Sequence, residues 1–168
     1  VPKVCSPCLT SAVEPLTSAH LDRLVEIARR DREGLFERNP HLAVYRDRIL
    51  SVALCQGAAR HYVDGRNGVK DMDVWTLYAA VPCVQYPQRR RGQVEFGPSE
   101  LSDWSGRVDL LGRSLLYPVG MAPESVWQDY LTKQWTKSAG YLAKKPVVLL
   151  EPASRRGEVV WPALDGAR

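Results

Sequence analysis

No apolar run in this 168-residue chain approaches the roughly 20 residues that a helix needs to cross a bilayer. The amino-terminal stretch lacks the short apolar core of a secretory signal, so a cytoplasmic protein is expected. The chain opens on Val1 rather than Met, which suggests a trimmed start with a few residues missing or foreign. Cysteine is scarce: four residues, unevenly spaced, do not make the framework of a small secreted scaffold. Cys5 and Cys8 form a C-x-x-C, yet no second pair follows at zinc-ribbon spacing, and they read as two thiols on a terminal segment. Cys55 and Cys83 have apolar neighbours and read as buried small hydrophobes. There is no internal repeat, no long linker, no array of stacking aromatics and no recognised RNA-binding module.

Charge of one sign is not in large excess either. The 23 Lys and Arg against 19 Asp and Glu leave a formal charge of +4. It is unevenly spread, because Arg89, Arg90 and Arg91 stand together between turn-forming residues. That run reads either as a solvated loop or as a phosphate-attracting one, since guanidinium forks match phosphate oxygens. What is present in ordinary measure is apolar residues, 45% of the chain, enough for one globular domain with a real core.

The periodicities predict helices before and after a central sheet. Ser18 is placed to cap a helix with Leu21, Leu24, Val25 and Ala28 on its apolar face, and Gly34 to break it. Asn39 and Pro40 predict a second helix to about Arg48. The run Ile49 to Cys55 reads as a buried strand, followed by a short helix ending near Asp64 and Gly65. Strands are expected over "DMDVWTLYAAV", "GRVDLLGRS", "VVLLE" and "GEVVWP", the last two paired through "PASRRG". The stretches "PQRRRG" and "EFGPSELSDWSG" are expected to be irregular. Pro123 opens a helix carrying Val126, Trp127, Tyr130 and Leu131, and Ser138 caps a shorter one to Lys145. The expected class is α+β, a small mixed β-sheet flanked by helices. Residues 18–48 supply the leading helices and residues 49–150 the core of a single domain.

Asp71 and Asp73 leave the same face of their strand, with Trp75 and Leu77, because side chains alternate. Like charges at that spacing repel, and a divalent cation between them reverses the balance. Asp109, between Val108 and Leu110, reaches the same cation if its strand lies beside theirs. Three such carboxylates suit in-line phosphoryl transfer.

An apolar strand, a small-residue turn opening a helix, an acid-x-acid strand and a later strand acid together resemble the nucleotidyltransferase superfamily, the polymerase-beta-like fold. "VALCQGAARHYVDGRNGVKDMDVW" and "RVDLL" carry the likeness, over roughly Ile49 to Gly112. The resemblance implies metal ligation of Mg²⁺ or Mn²⁺ by Asp71, Asp73 and Asp109, with Asp109 also the base toward an acceptor hydroxyl. It implies an NTP substrate, whose triphosphate approaches the turn at Gly57 and Ala58 through backbone N–H groups, with Gln56 just before the turn a candidate for a compensating contact. Ala58 departs from the usual Ser or Gly and removes a hydroxyl contact. Lys144 and Lys145 are candidates to neutralise the triphosphate or, alternatively, to complement a helix end. Lys70 and Arg66 are candidates for phosphate or acceptor contact, or for a solvated turn. His61 reads as a locally bonded helix residue, Trp75 as core or base-stacking, and Trp104, Trp127, Trp135 and Trp161 as packing.

The expected activity is transfer of a nucleoside monophosphate from an NTP to an acceptor hydroxyl of RNA, protein or a small molecule, with pyrophosphate release. Arg89, Arg90 and Arg91 suit an RNA acceptor. Small members of the superfamily include toxin halves of toxin–antitoxin pairs. The alternative is a weak or inactive nucleotide- or RNA-binding regulatory module. A metal-dependent nuclease is disfavoured, because "QVEFG" lacks the lysine such sites place beside the acid.

Overall fold

The computed structural model describes residues 15–65, 69–87, 90–97 and 106–162. The first helix, α1 (Ser18–Arg38), is capped by Thr17 rather than Ser18; the extended Thr17 donates its N–H to Nδ1 of His20 at 2.9 Å. It does not break at Gly34. Leu35 and Phe36 on the following turn are buried, and the Arg38 guanidinium lies 3.1 Å from where a Cβ at Gly34 would stand. Burying two large apolar side chains, at about 1.5–3 kcal/mol each, outweighs a glycine penalty of about 1 kcal/mol.

Pro40–Asp47 winds as a 3₁₀ helix, not the expected α-helix. Three residues per turn bring Leu42 and Tyr45 to one side, where both are buried against Leu35, Phe36, Tyr78 and Tyr86. The Tyr45 hydroxyl donates to the carbonyl of Val84 at 2.5 Å and ties this corner down. Strand β1 (Ile49–Cys55) and helix α2 (Gln56–Asp64) follow as the sequence predicts, with left-handed Gly65 ending the helix.

The remaining elements are β2 (Met72–Ala79), β3 (Arg90–Glu95), β4 (Arg107–Leu115), α3 (Pro123–Lys133), α4 (Lys137–Leu142), β5 (Val147–Glu151) and β6 (Val159–Trp161). Strand β3 corrects the expectation of a loop. One edge of β4 is taken by β2, and the N–H and C=O groups of its other edge need partners. β3 supplies them, from Arg90 opposite Gly112 to Glu95 opposite Arg107.

The strands form one six-stranded sheet in the order β3-β4-β2-β1-β5-β6. β2 and β4 run parallel and the other neighbours antiparallel, so the fold is α+β with a mixed sheet. Alternation along the strands divides the core. Val52, Leu54, Met72, Val74, Val108 and Leu110 pack with residues of α1 and α2. Ala53, Cys55, Trp75, Leu77, Leu111 and Leu149 pack with residues of α3 and α4. Trp127 of α3 is fully buried there and donates its indole N–H to Ser51 Oγ at 3.0 Å.

Two other expectations are corrected. Cys83 is exposed, at φ 66 in the turn joining Val81 and Val84, and is not buried like Cys55. Trp135 is 80% exposed, with Lys133 Nζ over its ring, and does not belong to the packing. Cys5, Cys8, Arg66, Arg89 and Trp104 lie outside the described residues. Among the described residues no helix is long and apolar enough to cross a membrane.

Candidate functional site

The parallel pairing of β2 with β4 positions the acids. Its register sets Asp73 opposite Asp109, and Trp75 opposite Leu111 on the same face, toward α3 and α4. Asp71 stands just before β2, two residues from Asp73. On the other side of β2, Asp73 faces Cys55. Burial, and secondly the negative charge of Asp73, push the Cys55 thiol well above its ordinary pKa.

Arg107, at the start of β4, binds two of the three acids. Its Nη2 donates to Asp71 Oδ2 at 2.7 Å, and its Nε lies 3.4 Å from Asp109 Oδ1. The hydrogen bond to Asp71 and the charges of the neighbouring acids raise its pKa further above the ordinary arginine value. Asp109 is 2% exposed and Asp71 26%, so the guanidinium spans from the protein interior to the surface. Among the described residues no three His, Cys, Asp or Glu side chains are gathered closely enough to form a ready-made metal cage.

A cleft of about 740 Å³ opens at this end of the sheet. That volume suits a nucleotide-sized ligand. Gln56, Gly57, Lys70, Asp71, Asp73 and Lys145 line it, as does Trp75, which is buried except for this contact. Asp109 lies beneath, beside Asp73. Gln56, not Gly57, carries the left-handed backbone at the head of α2, with φ 60. The glycine instead leaves its surroundings open, since a Cβ there would meet nothing within 4 Å.

Two expected site residues are placed elsewhere. The methyl of Ala58 is buried in the core beneath α1 and α2, so only its backbone stands at the helix start. Lys144 does not line this cleft: its Nζ lies 5.1 Å over the Tyr141 ring, and it lines a second depression of about 420 Å³ that Arg60 and Lys145 share with the cleft. Helix α4 starts after Thr136, whose side chain caps it, and stops at Leu142, so it does not run from Ser138 to Lys145 and both lysines lie beyond its end. Arg90 and Arg91 pair with Gly112 and Leu111, farther along β4 than Asp109. His61 is buried in α2, at 1% exposure.

Arg60, Arg107, Lys137, Ser138 and Tyr141 escaped the reading of the sequence. Period-two alternation puts Arg107 on the face of Asp109, and helical spacing puts Arg60 on the face of Gln56 and Tyr141 on that of Lys137. Those signals were present, but they matter only once the strand pairing and the position of α4 are known. No protein-family model matches the chain, and no curated protein matches it.

Proposed function

We propose that the chain is a divalent-cation-dependent nucleotidyltransferase, moving a nucleoside monophosphate from an NTP to an acceptor hydroxyl with release of pyrophosphate. The observation that carries this reading is the pairing of Asp73 with Asp109 on one sheet face, beside a cleft that also bears Asp71 and four cationic side chains. The donor set fits Mg²⁺ or Mn²⁺: hard carboxylate oxygens from Asp71, Asp73 and Asp109. A bound cation would supply Lewis-acid stabilisation of charge on the transferring phosphoryl group.

The chain's own groups account for the rest. Arg60, Lys70, Lys137 and Lys145 neutralise the triphosphate in the cleft. The first N–H groups of α2, at Gln56, Gly57 and Ala58, have no acceptor within the helix and point to the same anion. Trp75 gives the cleft an apolar wall that excludes water. As the acceptor oxygen bonds to the α-phosphorus, the bond from that phosphorus to the pyrophosphate oxygen breaks, and Asp109 takes the acceptor's proton. The acceptor is a hydroxyl of RNA, protein or a small molecule, met in the cytoplasm, as for toxin-type members of the superfamily.

A second reading is a nucleotide-binding module without transfer activity. The engagement of Asp71 and Asp109 by Arg107, and the buried methyl at position 58, favour it.

The test is a thermal-shift series with ATP, CTP, GTP and UTP, each with Mg²⁺ or EDTA, on the wild type and on Asp71→Ala/Asp73→Ala. A transfer assay with α-labelled NTP follows. Stabilisation that needs both the metal and the aspartates is expected, with transfer reduced more than about 100-fold by Asp73→Asn. Metal-dependent binding without any transfer selects the second reading. Identical melting in every condition overturns both.

A further inference from the structure

The position of Arg107 points to regulation of the same acidic site, and this inference rests on the proposed function. A guanidinium presents several donors in a rigid fork, and here two of its nitrogens address two different acids. The carboxylate of Asp71 is drawn toward Arg107 at 2.7 Å, and the three acids do not converge into a cage. A divalent cation at these oxygens and a guanidinium on them repel each other and compete for the same lone pairs.

We propose that Arg107 is an internal counter-cation that holds the acidic site closed to divalent metal, so that loading requires the guanidinium to leave Asp71 and Asp109. The side chain has room to do so. It is 40% exposed while Asp109 beneath it is 2% exposed, so it can swing outward without unpacking the core. Its place at the first residue of β4 means that the backbone pairing of Asp109 with Asp73 survives the movement. The same contact explains how two adjacent strands tolerate acids in register: the arginine offsets their repulsion until a metal replaces it.

The experiment is a titration of the full chain with Mn²⁺, reading free Mn²⁺ by electron paramagnetic resonance, without nucleotide. The wild type is compared with Arg107→Gln, Arg107→Lys and Lys144→Gln, the last removing one positive charge from beside the cleft at a residue outside the proposed binding set. Arg107→Gln is expected to bind Mn²⁺ about two- to fivefold more tightly than the wild type, the scale of one half-exposed charged contact. Arg107→Lys, which keeps the charge but loses the fork, is expected between them, and Lys144→Gln close to the wild type.

Equal or weaker binding by Arg107→Gln, with the wild type binding normally, overturns the inference and leaves the proposed function standing. An equal gain in Lys144→Gln also overturns it, because general charge near the cleft, not the contact, would then be responsible. Absence of Mn²⁺ binding in all four proteins overturns the function and the inference together. Arg107→Lys keeps the comparison decisive should Arg107→Gln fold poorly.

Discussion

Gln56 holds a left-handed backbone beside a glycine that does not need one, and the two residues separate shape from access. Because a Cβ at Gly57 meets nothing within 4 Å, Gly57→Ala should leave the fold intact and add up to about 1 kcal/mol of stability in a denaturant melt. The same methyl projects beside the cleft-lining backbone and should weaken the nucleotide-dependent thermal shift. A loss of stability in Gly57→Ala would show that the open space is filled in solution. The cysteines make a second contrast. Cys83 is exposed, whereas Cys55 is fully buried with its thiol pushed up by burial and by Asp73. Iodoacetamide labelling mapped by mass spectrometry is therefore expected to modify Cys83 and spare Cys55 in the native protein. Equal labelling would contradict the placement of β1.

Helix α4 has six residues, too few to persist on intrinsic propensity, and depends on its cap and its buried side. Thr136 Oγ1 accepts from the N–H of Ala139 at 3.1 Å and is itself 3.1 Å from the Tyr130 hydroxyl, while Ala139 and Leu142 are buried. Thr136→Ala should cost about 1 kcal/mol. It should also raise hydrogen exchange across Lys137–Leu142 and weaken nucleotide binding, since Lys137, Ser138 and Tyr141 form part of the cleft. Unchanged exchange would mean that packing alone holds the helix. Thr136 and Ser138 are both good caps locally, and only Thr136 also meets the Tyr130 hydroxyl, a neighbour in space that no local pattern reveals. β1, α2, β2 and β4 were legible from alternation, apolar runs and small-residue signals, and so was the face shared by Asp71 and Asp73. β3 was not, because its reason for existing is the open edge of β4. The partnership of Arg107 with Asp71 was hidden for the same reason: it follows from a parallel pairing that no local pattern encodes.

Electrostatics bound the stability of the assembled protein from both sides of neutrality. Arg46 holds the Glu33 carboxyl below its ordinary pKa, Arg155 does so for Glu124, and Tyr117 with Lys133 for Asp129. A lowered folded-state pKa gives stabilisation that is present above the unfolded value and lost as pH falls through the folded one. Burial, and secondly contact with Asp129, raise the pKa of Tyr117; burial and then Asp73 raise that of Cys55. Their contribution is complete below the unfolded values of 10.0 and 9.0 and declines as pH rises past them. The melting temperature should therefore be flat from about pH 5 to 8.5 and fall on both sides, with Tyr117→Phe softening the alkaline limb. A monotonic dependence across this range would refute the assignment.

Order along the chain gives the sheet topology one more meaning, in the history of each molecule as it is synthesised. Asp73 can meet Asp109 as soon as β4 is made, but Lys137, Tyr141 and Lys145 come later, and β5 must then return to pair Val148 with Leu54 and Glu151 with Val52. The acids are thus made before the helix and lysines that complete the cleft beside them. On the proposed reading, a nascent chain on the ribosome would lack a complete cleft, and so transfer activity, until β5 has emerged.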